Sequence, residues 1–332
     1  MSAATTERQG RAAALLVSPA LAAIVAFFFL PVVAALALSV TDFDIYALAD
    51  LANLRFVGVR NYVRLAADPT FRTALWNTAF FVLVAAPLSI AVSLGAALLV
   101  DAKLARFPTF YRTVLFLPVV TTLVAAAVVW RYLYHPRFGL LNHALGVLGV
   151  APIDWLGDPR WAMLAIVLMT VWKGFGFNMV VFVAGLRAIP PRLYEAASLD
   201  GAGTLATFRH VTLPLLAPTT TFVALMTVIG DFQLFSEPYV MTQGGPGDRT
   251  LSVVLLMYRE GFRWWNLGTA AATAFVLFAI ILALSALGLL VRRDDATDAG
   301  VAVGAHEAAH DGAHDGAHDD TRAGAPRAGE QA

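Results

Sequence analysis

The amino-acid sequence predicts an all-α, polytopic membrane protein, and three observations support this fold class. The chain of 332 residues is 59% hydrophobic and only 14% charged, whereas soluble domains are about 45–50% apolar and about 25% charged. Asp, Glu, Lys and Arg are absent from four runs, at residues 12–41, 73–100, 113–130 and 264–291. Each run reaches the ~18–20 residues that a helix needs to cross about 30 Å of hydrocarbon. Cysteine is absent as well, which excludes disulfide frameworks and thiolate metal sites.

The apolar runs and their flanks predict six membrane-spanning helices. We place them at residues 12–40, 73–100, 111–133, 161–187, 213–240 and 264–291. The first span could instead be a signal peptide, because Ala35-Leu36-Ala37 resembles a cleavage site. A signal peptide has an apolar stretch of only about 7–15 residues, and this run is longer, so we expect an uncleaved span.

The termini and the charge distribution complete the predicted organisation. Residues 1–11 form an N-terminal arm, residues 12–293 the transmembrane domain, and residues 294–332 a tail rich in His, Asp, Ala and Gly. The tail has too few large apolar residues to bury a core, which predicts disorder. Ten basic residues lie near the span ends on each side of the membrane, so the positive-inside rule gives no orientation.

Two short patterns suggest catalysis or nucleotide binding, and neither of them has the required context. His306-Glu307-Ala308-Ala309-His310 matches a zinc-protease pattern, but it lies in a low-complexity repeat, where only loose chelation by histidines stays open. Gly201-Ala202-Gly203 follows a predicted helix rather than the strand that a dinucleotide site needs. The sequence has no phosphate-binding loop of the G-x-x-x-x-G-K-[ST] type. We therefore predict no cofactor, no metal site and no catalytic residue.

Residues 190–218 form a polar segment with several helix-breaking residues between the fourth and fifth spans. Pro190 and Pro191 end the fourth span and begin a short helix, which Asp200-Gly201 should interrupt with a turn. We expect Thr204 to cap a second short helix with apolar residues at i, i+3 and i+6, and Leu213-Pro214 to close it and begin the fifth span. The segment is either an interfacial amphipathic loop or a docking element for a cytoplasmic partner.

The order of residues in this segment resembles the EAA loop of ATP-binding-cassette importer permeases. Glu195-Ala196-Ala197 is followed after three residues by Gly201 and then by the Val211-Thr212-Leu213-Pro214 close. Further resemblance to the sugar-importer branch covers residues 12–293, and it is closest to the maltose- and glycerol-phosphate-type permeases. It is carried by Phe56-Val57-Gly58, Asn61-Tyr62, Asp68-Pro69, Asn77-Thr78, Thr242-Gln243-Gly244-Gly245-Pro246, Thr250 and Gly268. The second external region is shorter than in the maltose permease, which argues against that particular transporter.

The resemblance implies a multi-pass subunit of a bacterial cell membrane that has both termini in the cytoplasm and no ATPase site of its own. Its expected partners are a second permease subunit, a cytoplasmic ATP-binding-cassette ATPase dimer, an extracytoplasmic solute-binding protein, the sugar substrate and the lipid bilayer, and not nucleic acid. The EAA loop would form coupling helices in a cleft of the ATPase. The residues expected to take part are Glu195, Ala196, Ala197, Asp200, Gly201, Leu205, Phe208, Leu213 and Pro214.

Ionisable residues inside the predicted spans indicate where a solute would pass, because such groups usually face a cavity or a partner. Lys173, Asp231 and Glu237 are of this kind. One hypothesis is an ion pair between Lys173 and Asp231 that joins the fourth and fifth spans. The other is a translocation pathway in which polar groups bind sugar hydroxyls and aromatic rings pack on sugar faces. The candidate pathway residues are Trp172, Lys173, Phe177, Asn178, Asp231, Phe232, Gln233, Glu237 and Tyr239.

Two other function classes stay open at this stage. An ion-coupled secondary transporter is the alternative, although we find no convincing internal repeat, and the EAA pattern would go unexplained. An intramembrane enzyme would need a nucleophile and base or metal ligands within the spans. Histidine is absent from the apolar part of every predicted span, so only carboxylate chemistry through Asp231 and Glu237 would be available.

Overall fold

The computed structural model describes residues 15–101, 107–288 and 290, and this part of the chain is helical, with a single isolated β-bridge between Thr41 and Phe56. Five helices are long and apolar enough to cross a membrane: α1 (Leu15–Ser39), α4 (Pro69–Asp101), α8 (Ala162–Ala188), α10 (Thr204–Phe232) and α13 (Leu267–Gly288). Helices suit this environment because hydrocarbon offers no partners for backbone polar groups, and a helix pairs them internally. The all-α membrane fold is confirmed.

The remaining helices are short and lie between the spans. They are α2 (Ile45–Ala49), α3 (Arg60–Ala67), α5 (Pro108–Val120), α6 (Leu123–Leu133), α7 (Leu140–Val147), α9 (Pro191–Leu199), α11 (Ser236–Met241) and α12 (Val253–Tyr258). The predicted N-terminal arm and the histidine-rich tail fall almost entirely outside the described residues.

The third span was predicted as one helix over residues 111–133, and the structure shows instead two helices. α5 and α6 meet at an angle of 95°. The two residues between them, Thr121 and Thr122, have extended backbone, and Pro118 lies inside the last turn of α5. Proline removes a backbone donor and clashes with the preceding turn, which weakens the helix just where it ends. The predicted third span is therefore a sharply bent pair of helices, which we call the broken span.

The fifth span also differs from its predicted limits of 213–240. The helix begins at Thr204, and it ends at Phe232, so Glu237 and Tyr239 belong to the separate short helix α11. Leu213-Pro214 does not separate two elements, because a π-helical turn at Phe208–Thr212 carries the helix through the proline. The wider turn tolerates a residue that cannot donate to the carbonyl four positions earlier.

Helix α4 is at the centre of the packing, since it contacts both α8 and α10. One apolar cluster joins α4, α6, α8 and α11 around Phe81, Tyr134 and Ile166. A second lies between α4 and α12 and includes Phe232 and Leu255, and a third joins α4, α8 and α10. The compact unit that contains these clusters ends at Ile281, and the described remainder of α13 is a helical extension in the second unit. None of the most apolar 18-residue stretch of α1 is buried.

The first loop and the last span meet at a close backbone contact. The Asn61 side-chain amide donates to the carbonyl oxygens of Ser39 and Thr41, at 2.9 and 2.7 Å. The backbone N–H of Gly268 donates to the carbonyl of Phe43 at 3.0 Å. A Cβ atom at Gly268 would overlap the carbonyl oxygen of Thr41. Glycine is needed at this position because two backbones approach here without room for a side chain.

The second span, α4, is tied to the segment that follows the fifth span. The side-chain amide of Asn77 donates to the carbonyls of Asp248 and Leu251, at 2.7 and 3.0 Å. The Thr78 hydroxyl accepts a bond from the backbone N–H of Val253 at 3.0 Å. Buried polar groups are thus paired across a long sequence separation, as a buried loop junction requires.

We predict that Gly268→Ala lowers the thermal stability of the purified chain in detergent. Overlap with a backbone carbonyl forces a shift of the loop or of α13, and overpacking of this kind costs about 1–3 kcal/mol. The midpoint of thermal aggregation, measured by fluorescence-detected size exclusion, should fall.

Gly95→Ala is the matched control, because Gly95 lies in α4 and a Cβ there meets nothing within 4 Å. In a helix interior alanine is favoured over glycine, so this variant should be neutral or stabilised. Equal midpoints for the two variants would contradict the close-contact interpretation.

Candidate functional site

Two neighbouring cavities lie among α4, α8, α10 and α11, and they share the residues Thr170, Gly230 and Asp231. The first has a volume of about 240 Å³, and the second about 160 Å³. Both reach the end of α10, and the second also lies beside the break between α5 and α6, where Leu123 lines it. Ligand pockets usually measure about 300–1,000 Å³, so each cavity alone is small for a site.

Hydrogen-bonding groups of three spans line the first cavity. The side-chain amide of Asn178 is buried and donates to the Thr227 hydroxyl at 3.0 Å and to the Ser89 hydroxyl at 3.5 Å. Asp231 is the ionisable residue of this lining, and its Oδ2 atom is buried without a hydrogen-bond partner. A buried carboxylate oxygen that lacks a partner in a cavity wall is an acceptor for a ligand that enters the cavity.

The second cavity adds residues from the break between α10 and α11. Gln233 lies in the break itself, and Glu237 lies in the first turn of α11, where its side chain is only 7% exposed. The Thr170 hydroxyl, also in this wall, is buried and has no partner. The interruption thus brings two carboxyl groups and an amide to one cavity, which a straight fifth span would not do.

Lys173 does not form the ion pair with Asp231 that one sequence hypothesis predicted. Its ammonium group donates to the carbonyl oxygen of Val119 at 3.0 Å, and the ion pairs of the described residues do not include it. Val119 is in the last turn of α5, where carbonyls have no partner within the helix and carry the negative end of the helix dipole. Lys173 therefore caps the first half of the broken span.

Gly176 brings the same two helices together one turn later. A Cβ atom at this position would lie 2.5 Å from the carbonyl oxygen of Leu115. Gly176 therefore allows the close approach of α8 to α5. Gly174 instead lines the first cavity.

The predicted pathway residues do not all lie at the two cavities. Phe177, Asn178, Asp231, Gln233 and Glu237 line one cavity or both. Phe232 is buried in an apolar cluster, and Trp172 packs edge-on against Trp130 with ring centroids 5.5 Å apart. Tyr239 lies in a separate external pocket of about 180 Å³ that Tyr258, Arg259 and Arg263 also line.

Sequence reasoning missed several polar residues of the cavity walls. The residues missed are Ser89, Thr170 and Thr227. Small hydroxyl residues within apolar spans were the sequence feature that could have indicated them. It is weak, because such hydroxyls often bond only to their own helix, as Thr220 does to Leu216.

An ion-pair network at the opposite end of the spans was also missed. Asp101, the last residue of α4, pairs with Arg187 of α8 at 3.0 Å and with Arg112 of α5 at 3.5 Å. The signal was that Asp101 and Arg187 each end an apolar run, so that two opposite charges come to the same membrane face.

The segment of residues 190–218 forms a helix, a turn and a second helix, as the sequence predicted. After α9, the N–H of Gly201 donates to Ser198 and that of Ala202 donates to Ala197, at 3.1 and 2.9 Å. Gly201 has a positive φ of 75°, the conformation that this type of helix end favours for glycine. The spacing Asp200-Gly201 is thus explained by helix termination.

Two details of this segment differ from prediction or were not foreseen. Gly203, rather than Thr204, is the residue that precedes the second helix, and no side chain caps it. The hydroxyls of Tyr194 and Thr212 lie 3.3 Å apart and join the two helices.

Most of the residues expected to contact the ATPase are exposed. They include Glu195, Asp200, Gly201, Leu205, Leu213 and Pro214. Leu199 and Leu205 reach 89% and 79% exposure. Ala197 and Phe208 are partly buried.

The chain matches a known protein family. Residues 102–294 match the family described as "Binding-protein-dependent transport system inner membrane component". This chain belongs to that family. It is accordingly an integral membrane component of an importer class, and the family match covers the broken third span, the polar segment and the cavity residues that follow α4.

Individual relatives resemble the chain over most of its length. The arabinooligosaccharides permease AraP of Bacillus subtilis is 37% identical over 70% of this chain and 75% of its own length. The lactose permease LacF of Rhizobium radiobacter is 34% identical, with 84% and 93% covered. The sn-glycerol-3-phosphate permease UgpA of Agrobacterium fabrum is 36% identical, with 82% and 91% covered.

The fold is shared with a solved transporter. A chain of a bacterial ABC transporter for import of the acidic polysaccharide alginate superimposes with a TM-score of 0.72, over 86% of this chain and 96% of that one. Sequence identity is 21%, so the likeness concerns the fold.

We predict that Lys173→Met destabilises the protein more than Lys173→Gln does. Methionine leaves the Val119 carbonyl without its donor, and an unpaired buried acceptor costs about 1–3 kcal/mol. Glutamine keeps an N–H donor and should retain part of the stability, read as the thermal midpoint in detergent.

The ion-pair hypothesis makes the opposite prediction for a double variant. If Lys173 mainly neutralised Asp231, then Asp231→Asn would restore the stability that Lys173→Met loses. Restoration of the midpoint in the double variant would overturn the capping role, and no restoration is expected.

Proposed function

We propose that this chain is the transmembrane permease subunit of an ATP-binding-cassette importer for a sugar or a related carbohydrate. The observation that carries the proposal is the family match over residues 102–294. The relatives' names concern arabinooligosaccharides, lactose, trehalose or maltose, and sn-glycerol-3-phosphate. The cavities support it, because amide, hydroxyl and carboxyl groups suit the hydroxyls of a carbohydrate.

The exposed segment after α8 supports a role in coupling to a separate ATPase. Leu199 and Leu205 project from the turn between α9 and α10, where apolar side chains have no packing partner within the described chain. Exposed leucines beside a rigid glycine-terminated helix suit a cleft on another protein better than free solvent does. We assign ATP hydrolysis to that partner, and the sequence itself has no phosphate-binding loop.

One helix connects this segment to the cavities. α10 runs from Thr204, at the turn, to Asp231 at the cavity wall, a distance of about 40 Å at 1.5 Å per residue. A displacement of the turn by an ATPase would be carried along this helix to Asp231. Opening and closing of the cavities would then follow the ATPase cycle by rigid movement.

A second permease subunit would complete the pathway. Each cavity is small, and α1 has none of its most apolar stretch buried, so apolar surface is available for a partner or for lipid. We propose that the EAA-like segment and both termini face the cytoplasm, and that an extracytoplasmic binding protein delivers the sugar to the opposite face. An ion-coupled secondary transporter is not favoured, because the family is binding-protein-dependent.

Purification of the tagged chain in mild detergent from its host tests this assembly. We expect a second six-span permease and an ATPase with a phosphate-binding loop to co-purify, and uptake of the cognate sugar to stop when ATP is depleted at a maintained ion gradient. Recovery of the chain alone, together with uptake driven by an ion gradient, would overturn the proposal.

We predict that Leu205→Asp in the coupling segment abolishes uptake and lowers ATPase co-purification at least tenfold. A charge in an apolar cleft is desolvated without a partner, whereas the free subunit loses nothing, because the side chain is exposed. Thermal stability should be unchanged. Leu148→Asp is the matched control, since Leu148 is 78% exposed between the third and fourth spans, across the membrane from the coupling segment.

Gly201 tests the same surface through the backbone. Asparagine tolerates a positive φ, so Gly201→Asn should preserve the turn, whereas Gly201→Trp adds bulk where a Cβ meets nothing within 4 Å of this chain. The tryptophan variant should insert normally but lose uptake. Normal uptake by Gly201→Trp would be incompatible with docking at this turn.

A further inference from the structure

The ionisable groups in the walls of the two cavities are carboxyl groups. The carboxyl groups of Asp231 and Glu237 are in the cavity walls, and the linings contain no lysine, arginine or histidine among the described residues. The other polar members of the walls are neutral hydroxyls and amides. A solute in these cavities therefore meets hydroxyl, amide and carboxyl groups, and Lys173, whose charge acts on Glu237, lies outside both linings.

The nearest basic side chains are already engaged with backbone carbonyls. Lys173 donates to Val119 at the end of α5, and Arg131 of α6 donates to Val240 of α11 at 3.3 Å. Both bonds join helix ends, and both cations lie outside the linings of the two cavities.

Because these carboxyl groups are buried, the cavities favour solutes without anionic groups. Glu237 is more than nine-tenths buried, and Oδ2 of Asp231 is inaccessible to solvent and unpartnered. An anionic group loses its hydration in such a cavity unless a cation compensates, and neither lining supplies one. A sugar hydroxyl needs only a hydrogen-bond partner, and the carboxyl group of Asp231 supplies one when the cavity wall moves to expose it.

We propose that the carbohydrate carried past these cavities has no anionic group, and that Asp231 accepts a hydrogen bond from one of its hydroxyls. The proposal rests on the proposed function and narrows its substrate class. The relatives leave this choice open, since their names include lactose as well as sn-glycerol-3-phosphate. Asp231 would then be a specificity-determining residue within the membrane.

The arginines of the external pocket are the main argument for an anionic substrate. Arg259 is paired with Asp248 at 3.2 Å and donates to the carbonyl of Gln243 at 2.6 Å. Arg263 lines the same pocket, beside Tyr239 and Tyr258, but this pocket shares no lining residue with the two cavities. An anion held there would still have to pass the carboxyl groups.

The test begins with the binding protein that co-purifies with the complete importer. Calorimetric titration against neutral arabino-, gluco- and galacto-oligosaccharides, and against oligogalacturonates and glycerol 3-phosphate, gives the charge class of the substrate. We expect binding within the neutral set. Tightest binding of an anionic compound, followed by its ATP-dependent uptake, would overturn the proposal.

Uptake by variants of the whole importer in proteoliposomes shows which residue determines the selectivity for the substrate. Asp231→Asn should lower uptake of the bound sugar about tenfold, with ATPase co-purification and thermal stability unchanged. Asp158→Asn is the matched control, because Asp158 lies outside the cavities and pairs with Arg160 at 3.0 Å, and its uptake should stay within twofold of wild type. Wild-type uptake by Asp231→Asn, or a loss with Arg263→Gln instead, would contradict the assignment.

Failure of the two proposals gives different results. If the proposed function is wrong, no ATPase or binding protein co-purifies and no sugar of either charge class is taken up with ATP. If only the charge class is wrong, the assembly forms and the imported sugar is anionic.

Discussion

An interrupted helix in hydrocarbon leaves backbone carbonyls and N–H groups without partners, and this constraint organises the structure. The chain interrupts two of its crossings, at Thr121–Thr122 and at Gln233–Phe235. At the first, the ammonium group of Lys173 pairs with the carbonyl of Val119. Polar groups are costly in lipid and are tolerated where they face protein or a cavity. The breaks therefore determine where a polar pathway can exist.

The two breaks also bring together residues that are distant in the chain. α6, which follows the first break, packs against α11, which follows the second, and Arg131 joins them through the carbonyl of Val240. Gly176 allows α8 to approach α5 closely enough for Lys173 to reach the first break. The cavities with Asp231 and Glu237 lie between these elements. Packing and the polar site thus depend on the same contacts.

The unbroken course of α10 matters as much as the two interrupted crossings. The helix that ends at the cavity starts at the exposed turn after Gly203, and a π-helical turn lets it continue through Pro214. A break at the proline would have isolated the turn from Asp231. Since the helix is unbroken, the proposed coupling surface and the proposed pathway are two ends of one rigid element.

The sequence by itself determined the all-α membrane fold and the approximate limits of the first, second, fourth and sixth spans, since apolar runs of this length have few other uses. It also determined the helix–turn–helix, because glycine after Asp200 supplies the positive φ that ends α9. Only the tertiary structure decided that Lys173 caps Val119 rather than pairing with Asp231, and that Phe232 is core while Ser89, Thr170 and Thr227 line cavities. Hydropathy averages a whole segment, whereas these roles depend on which side of each helix faces a neighbour and on where the helix breaks.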